Sequence, residues 1–113
     1  MPIGPGSEPG RRPDHHEVWR PSTEVFECGD ALVIRVEIAG ISVADLEVVV
    51  ESDELKVRGE RTVTYPNGRR RYYESRIRYG PFEAAVRLPF PVTLGNASAE
   101  YAGGLLSVRL PRQ

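Results

Sequence analysis

The run AEYAGGLLSVRLP, Ala99 to Pro111, constrains the fold more than any other stretch, because it places a strand, a glycine turn and a second strand in one short piece of chain. Leu106, Val108 and Leu110 alternate with Ser107 and Arg109, the period of a strand with one face on a core and the other in water. Gly103 and Gly104 supply the backbone freedom that a tight connection before that strand needs. The same period recurs upstream. Val25 and Phe26 lie in a short segment closed by Cys28-Gly29-Asp30, and Leu32, Ile34, Val36 and Ile38 then alternate with Val33, Arg35 and Glu37 until Gly40. Ser42 reads as the cap of a one-turn helix through Asp45.

Beyond it, Leu46, Val48 and Val50 share one strand face, Ser52-Asp53-Glu54 turns the chain, and Leu55-Lys56-Val57-Arg58 returns to Gly59, so Leu46 to Gly59 reads as a hairpin. Phe82, Ala84, Val86 and Leu88 form another alternating set stopped by Pro89, and a connection from Pro91 to Gly95 leads to the closing strands, Ala97 to Tyr101 and Leu105 to Leu110. No long helical period and no fixed repeat is present. About seven short strands separated by turn residues predict an all-β, immunoglobulin-like antiparallel β-sandwich.

A length of 113 residues holds one domain. At this size roughly 60 to 65% of the unfolded chain's surface can be buried, which makes an open edge or groove a natural place for a partner to add burial. The net charge of -1 gives no global attraction to nucleic acid or to an anionic membrane. No apolar run approaches a membrane span and Met1 to Arg20 lacks the apolar segment of a secretory signal, so a cytoplasmic location is expected. The single cysteine, Cys28, cannot form an internal disulfide, and no Lys, Arg or His lies in its turn.

Pro, Gly and charged residues dominate residues 1–17, which predict a disordered N-terminal tail ahead of a domain over 18–113. Asp14-His15-His16-Glu17 reads as solvated tail, since neighbouring side chains on a flexible segment have no fixed geometry for a metal. Apolar alternation weakens between Gly59 and Phe82, a long interval for a loop in so small a domain. That interval, bounded as 60–81, contains a plausible β-turn at Tyr65-Pro66-Asn67-Gly68 followed by Arg69, Arg70, Arg71, Tyr72 and Tyr73.

The spacing A-x-x-x-x-G-x-L-x-V-x-L-P of the closing run resembles the signature that ends the α-crystallin domain of the small heat shock proteins. Four further pieces match in order: Trp19-Arg20-Pro21 leading to Val25-Phe26-Glu27; VEIAGISVADLEV, Val36 to Val48; Leu55-x-Val57-x-Gly59-Glu60-Arg61; and Gly80-Pro81-Phe82 through Leu88-Pro89. The resemblance implies an ATP-independent holdase chaperone of the bacterial type, which binds partly unfolded proteins and limits their aggregation, with no cofactor. It also implies a homodimer by strand exchange, in which a loop strand near Arg70 to Glu74 pairs with Ser22 to Glu27 of the other protomer. Glu24, Phe26, Arg70, Arg71, Tyr72 and Tyr73 are the interface residues it points to, with charge setting register more than affinity.

A second implied feature is a groove that accepts an I-x-I/V segment from a neighbour, lined here by Leu46, Val48 and Val50 on one side and Ala97 and Ala99 on the other. The chain stops shortly after Pro111 and the tail shows no I-x-I substitute, so the expectation is no C-terminal extension, a vacant groove, and a dimer or small oligomer. Two family positions differ: the proline before the glycine is Ala39, and the basic residue two positions after the phenylalanine is Ala84, which removes an inter-protomer ion pair. With a short polar tail, client contacts fall to Val18, Trp19, Phe26 and the groove.

No G-x-S-x-G, phosphate-binding glycine loop, H-E-x-x-H or C-x-x-C is present, so neither an enzyme nor a metal site is expected. Two other readings compete with the holdase. A co-chaperone-type adaptor on a related sandwich would lack the dimerising loop. A nucleic-acid binder would use the loop arginines and tyrosines and show a steep salt dependence.

Overall fold

The computed structural model describes residues 1–5, 17–63 and 68–113. Among the described residues, eight strands form two sheets: β1 Gly4–Pro5, β2 Thr23–Cys28, β3 Ala31–Glu37, β4 Leu46–Glu51, β5 Glu54–Arg61, β6 Gly80–Arg87, β7 Ser98–Ala102 and β8 Leu105–Pro111. One sheet runs β1-β4-β5-β6 and the other β2-β3-β8-β7. Every named pair is antiparallel except β1 with β4, which is parallel.

The alternation places the side chains as expected. Ile34, Val36, Leu55, Phe82, Ala84, Leu106, Val108 and Leu110 are all 0% exposed and meet between the sheets. Burying a large aliphatic or aromatic side chain to this extent contributes about 1.5–3 kcal/mol, which makes this interior the main source of stability. Register follows from the same pattern: Leu106, Val108 and Leu110 stand opposite Val36, Ile34 and Leu32.

Ser42 caps a 3-10 turn over Val43–Asp45, its Oγ accepting the Ala44 N–H at 3.3 Å. The hairpin over Leu46 to Gly59 reverses through Ser52 and Asp53, with Ser52 at φ 57°, a left-handed conformation that glycine adopts more readily. Gly59 is required for packing: a Cβ there would stand 2.3 Å from the Asp45 carbonyl oxygen and 2.6 Å from the Phe82 ring. Backbone thus presses directly on backbone where the 3-10 turn crosses β5.

The expected boundaries of the loop and tail are corrected by backbone pairing. Glu60 and Arg61 pair with Pro81 and Gly80, so the interval read as loop from 60 to 81 begins and ends inside β5 and β6. Residues 1–5, assigned to a disordered tail, are seated on the sandwich: Gly4 and Pro5 pair with Val49 and Val50, and Met1 and Ile3 pack against the core. Two apolar side chains and a free edge on β4 suffice to seat this short segment. Asp14, His15 and His16, and Tyr65-Pro66-Asn67 of the β-turn, lie outside the described residues, as does the rest of the tail over 6–16.

Candidate functional site

Two sheets packed face to face leave two flanks on which strand edges meet, and the features of interest lie on these flanks. On the first, β4 and β7 end their respective sheets, apart from the short β1 added to β4. Leu46, Val48 and Ala99 are 8%, 3% and 5% exposed, whereas Val50 and Ala97 are partly buried at the rim. The five groove residues therefore come together, but their groove is not vacant. The Met1 nitrogen donates to the Ala99 carbonyl on β7 at 3.1 Å, while Gly4 and Pro5 run along β4. Residues 1–5 thus bridge the two edges with Met1 and Ile3 half-buried and Pro2 and Pro5 exposed.

The groove continues past Val50 into a cleft of about 660 Å³ between the Ser52–Asp53 turn and the Leu88 to Leu94 connection. Val50, Leu88, Phe90, Val92 and Leu94 form its apolar wall. The sequence pattern gives Leu88 to a strand face stopped by Pro89 and Pro91 to Gly95 to a plain connection. The wall's signal was the alternation of Leu88, Phe90, Val92 and Leu94 with Pro89, Pro91 and Thr93, which the prolines disguised.

On the second flank, β2 forms the end of its sheet. Five of its six residues are exposed, with Val25 at 43% and Phe26 at 42%. Glu24 lies on the same strand, 3.9 Å from Arg35 of its own chain. Residues 68–79 adopt no strand within the chain, and Tyr72, Tyr73 and Ile77 are 56%, 92% and 61% exposed. Arg71 is exposed, and Arg70 Nη1 donates to the Tyr72 hydroxyl at 3.2 Å. The expected interface residues therefore belong to one open strand edge and one projecting loop. Ala84 is buried opposite Val57, which leaves the position of the family's basic residue inside the core.

Trp19 is half-buried. Its backbone bridges β6, with its N–H donating to Pro81 O at 3.2 Å and its carbonyl accepting from the Glu83 N–H at 2.9 Å. Its indole N–H reaches Gly80 O at 3.3 Å, and its ring packs on Phe82 with centroids 5.6 Å apart. The Arg61 guanidinium lies 4.7 Å from the Trp19 ring centroid and 5.8 Å from that of Tyr79, while donating to Ala39 O and Arg78 O. Trp19 and Arg61 thus clamp the start of β2 to β6, an arrangement that cation–π attraction favours. Val18 remains exposed at 42%.

Polar chemistry is concentrated on the outer face of β4-β5-β6, where Arg58 meets Glu51, Glu47 at 3.4 Å and Glu83 at 3.3 Å. Lys56 lies 3.6 Å from Glu51. These are the cross-strand pairs dictated by register, with Glu47 and Glu83 directly opposite Arg58. No group of three or more metal-ligating side chains is found among the described residues. No helix among them is long and apolar enough to cross a membrane.

The geometry matches known proteins throughout. Residues 24–113 match the model of the Hsp20/alpha crystallin family. The chain is 30% identical over 96 residues to heat shock protein 16 of Schizosaccharomyces pombe, covering 81% of this chain and 66% of that protein. It is 29% identical over 93 residues to spore protein SP21 of Stigmatella aurantiaca, covering 82% of this chain and 55% of that one. Among solved structures, heat shock protein 16.0 of Schizosaccharomyces pombe superposes with a TM-score of 0.74 at 29% identity, covering 85% of this chain and 88% of that one. The hspA structure from Xanthomonas axonopodis gives 0.76 at 26% identity, covering 86% and 97%. The chain spans 55 to 66% of the length of these two curated relatives. A family match across nearly all of the sandwich, together with relatives and structures named as heat shock proteins, places this chain in the Hsp20/alpha crystallin family, the small heat shock proteins.

Proposed function

We propose that this chain is an ATP-independent holdase that binds partly unfolded proteins on exposed apolar surface, without catalysis, as a cytoplasmic homodimer or small oligomer built by strand exchange. The observation that carries the reading is the pairing of a bare edge with an unused strand-like segment. Among the described residues no strand pairs with the outer side of β2, and Arg70 to Glu74 form no strand, with Tyr72 and Tyr73 exposed. An uncovered edge of this kind is a template for another chain, and a projecting segment that finds no strand on its own protomer is suited to supply one.

Exchange would bring Arg70 and Arg71 near Glu24 of the second protomer. Exposed ion pairs contribute about 0–1 kcal/mol each, so ladder hydrogen bonds and tyrosine packing hold the dimer and the charges select its register. For client capture, Val18, Val25, Phe26 and Ile77 are the exposed apolar side chains on or near this flank. A lone exposed Cys28 and the absence of a long apolar helix among the described residues fit a cytoplasmic protein.

The test is light scattering of a heated model client, without nucleotide, as the protein is titrated to a stoichiometric ratio. Scattering should fall progressively and approach its unheated level near equivalence. Unchanged scattering at excess protein would replace the holdase with the adaptor reading.

A further inference from the structure

We propose that the end of the sandwich around Arg61 binds a phosphoryl group, held by arginines that have no carboxylate partner of their own. The site lies outside the β4–β7 groove, and the proposal does not depend on the holdase reading.

The period of β5 creates the site. Leu55, Val57, Gly59 and Arg61 share one strand face, and that face points between the sheets, where Leu55 and Val57 are buried. Arg61 is the last of the four, so its guanidinium emerges where the core runs out. It borders a cavity of about 530 Å³, with Ser22 and Glu37 on the facing ends of β2 and β3 and Gly103 and Gly104 at the β7–β8 turn. Arg20 and Arg78 also line this cavity, so three cations stand against one acid, Glu37.

The way these charges are held is what points to a ligand. Arg61 Nε donates to Arg78 O at 2.8 Å and Nη1 to Ala39 O at 3.1 Å, while its guanidinium stacks 4.7 Å from the Trp19 ring centroid. Arg20 Nη1 likewise donates to a carbonyl, Ala85 O, at 3.1 Å. A carbonyl positions a guanidinium without neutralising it. Elsewhere the pattern differs: Arg35, Arg58, Arg76, Arg87 and Arg109 each form an ion pair with a carboxylate, whereas among the described residues Arg20, Arg61 and Arg78 form none.

A guanidinium carries five N–H donors, and the two carbonyls occupy two of those on Arg61. A fixed planar fork with donors to spare suits an oxyanion, which it grips through paired charge-assisted hydrogen bonds. Between the two common oxyanions, the excess of cations favours the phosphoryl group, whose charge of about −1.5 to −2 near pH 7 exceeds that of a carboxylate. The group can arrive as the free ion or on a phosphorylated side chain, and both present the same oxygens.

Trp19 is the only tryptophan in the sequence and stacks on Arg61, so its emission reports on the site directly. Inorganic phosphate and O-phosphoserine are titrated separately into the full chain, with chloride at equal ionic strength as the control and isothermal calorimetry as the second readout. Saturable binding of one anion per chain is expected, and the tighter of the two ligands identifies the source of the phosphoryl group. Arg78→Ala should weaken binding about tenfold and leave the fold intact, because the Arg78 carbonyl, not its side chain, holds Arg61. Glu37→Gln should tighten it about threefold by removing the one acid in the lining, a gain that loss of structure would not produce.

Absence of saturable binding by either ligand would overturn the proposal, as would a response that chloride reproduces. Equal affinity in the parent chain and Arg78→Ala would also overturn it, since the anion would then sit elsewhere. Client scattering plays no part in these readouts, so failure of the holdase reading and failure of this one are separable.

Discussion

On one flank of the sandwich, β4 and β7 are bridged by residues 1–5 of the same chain. On the other, Trp19 clamps the start of β6 while no strand among the described residues pairs with the outer edge of β2. The difference lies in what each edge is offered. The first flank presents small and branched apolar side chains that a short segment from the same molecule can cover. The second exposes five strand positions in succession, Glu24 to Cys28, and no strand among the described residues pairs with them on the outer side. A sheet edge is thus satisfied locally where a short apolar segment can reach it, whereas an edge of a whole strand's length is a template for pairing.

Gly59 is where this comparison breaks most completely, because it holds β4, β5 and β6 in the register on which both flanks depend. Gly59→Ala should cost about 2–3 kcal/mol, since the Asp45 carbonyl at 2.3 Å from the new Cβ is backbone and cannot swing aside. Urea denaturation reads this directly, and a loss below the error of the fit would show that β5 can shift. Next in size, replacing both Tyr72 and Tyr73 by alanine should weaken the dimer by about 2 kcal/mol, roughly thirtyfold in Kd, and leave the monomer fold intact. Sedimentation velocity over a concentration series checks it; an unchanged profile would remove strand exchange from the second flank.

Arg61→Ala should cost about 1 kcal/mol through loss of its hydrogen bonds and its stacking on Trp19. The emission of the single tryptophan should shift to the red as its ring becomes more exposed, and an unshifted spectrum would mean that Phe82 alone holds it. The smallest effect belongs to the turn beside the covered flank: Ser52→Gly relieves a left-handed φ of 57° and should raise stability by about 0.5 kcal/mol. Thermal unfolding resolves that change, and a decrease would show that the added freedom of the unfolded chain outweighs the strain.

The interior strands were legible because each carries three or more apolar residues at period two, as Leu32, Ile34 and Val36 do, and that pattern has one solution in a sandwich. β1 was not legible. Two paired residues, one of them proline, have no period, and the surrounding Gly and Pro give the composition of a tail. The anchoring of Trp19 was not legible for a related reason: its partners are backbone groups at Gly80, Pro81 and Glu83, distant in sequence and unmarked by any motif. Arg70 to Glu74 form no strand within the chain. The strands carrying Leu46, Val48 and Ala99 could be named from the family resemblance, whereas the cleft beyond them at Phe90 and Leu94 needed the folded connection to be seen.

Cys28 ends β2 as an exposed free thiol, and it is the only cysteine in the sequence. The molecule therefore carries a spectroscopic handle at the end of its bare edge, with no substitution required to create it. A nitroxide attached there would report by pulsed electron resonance how far apart two such edges lie in an assembly, and its mobility would show whether that end of β2 is gripped or free.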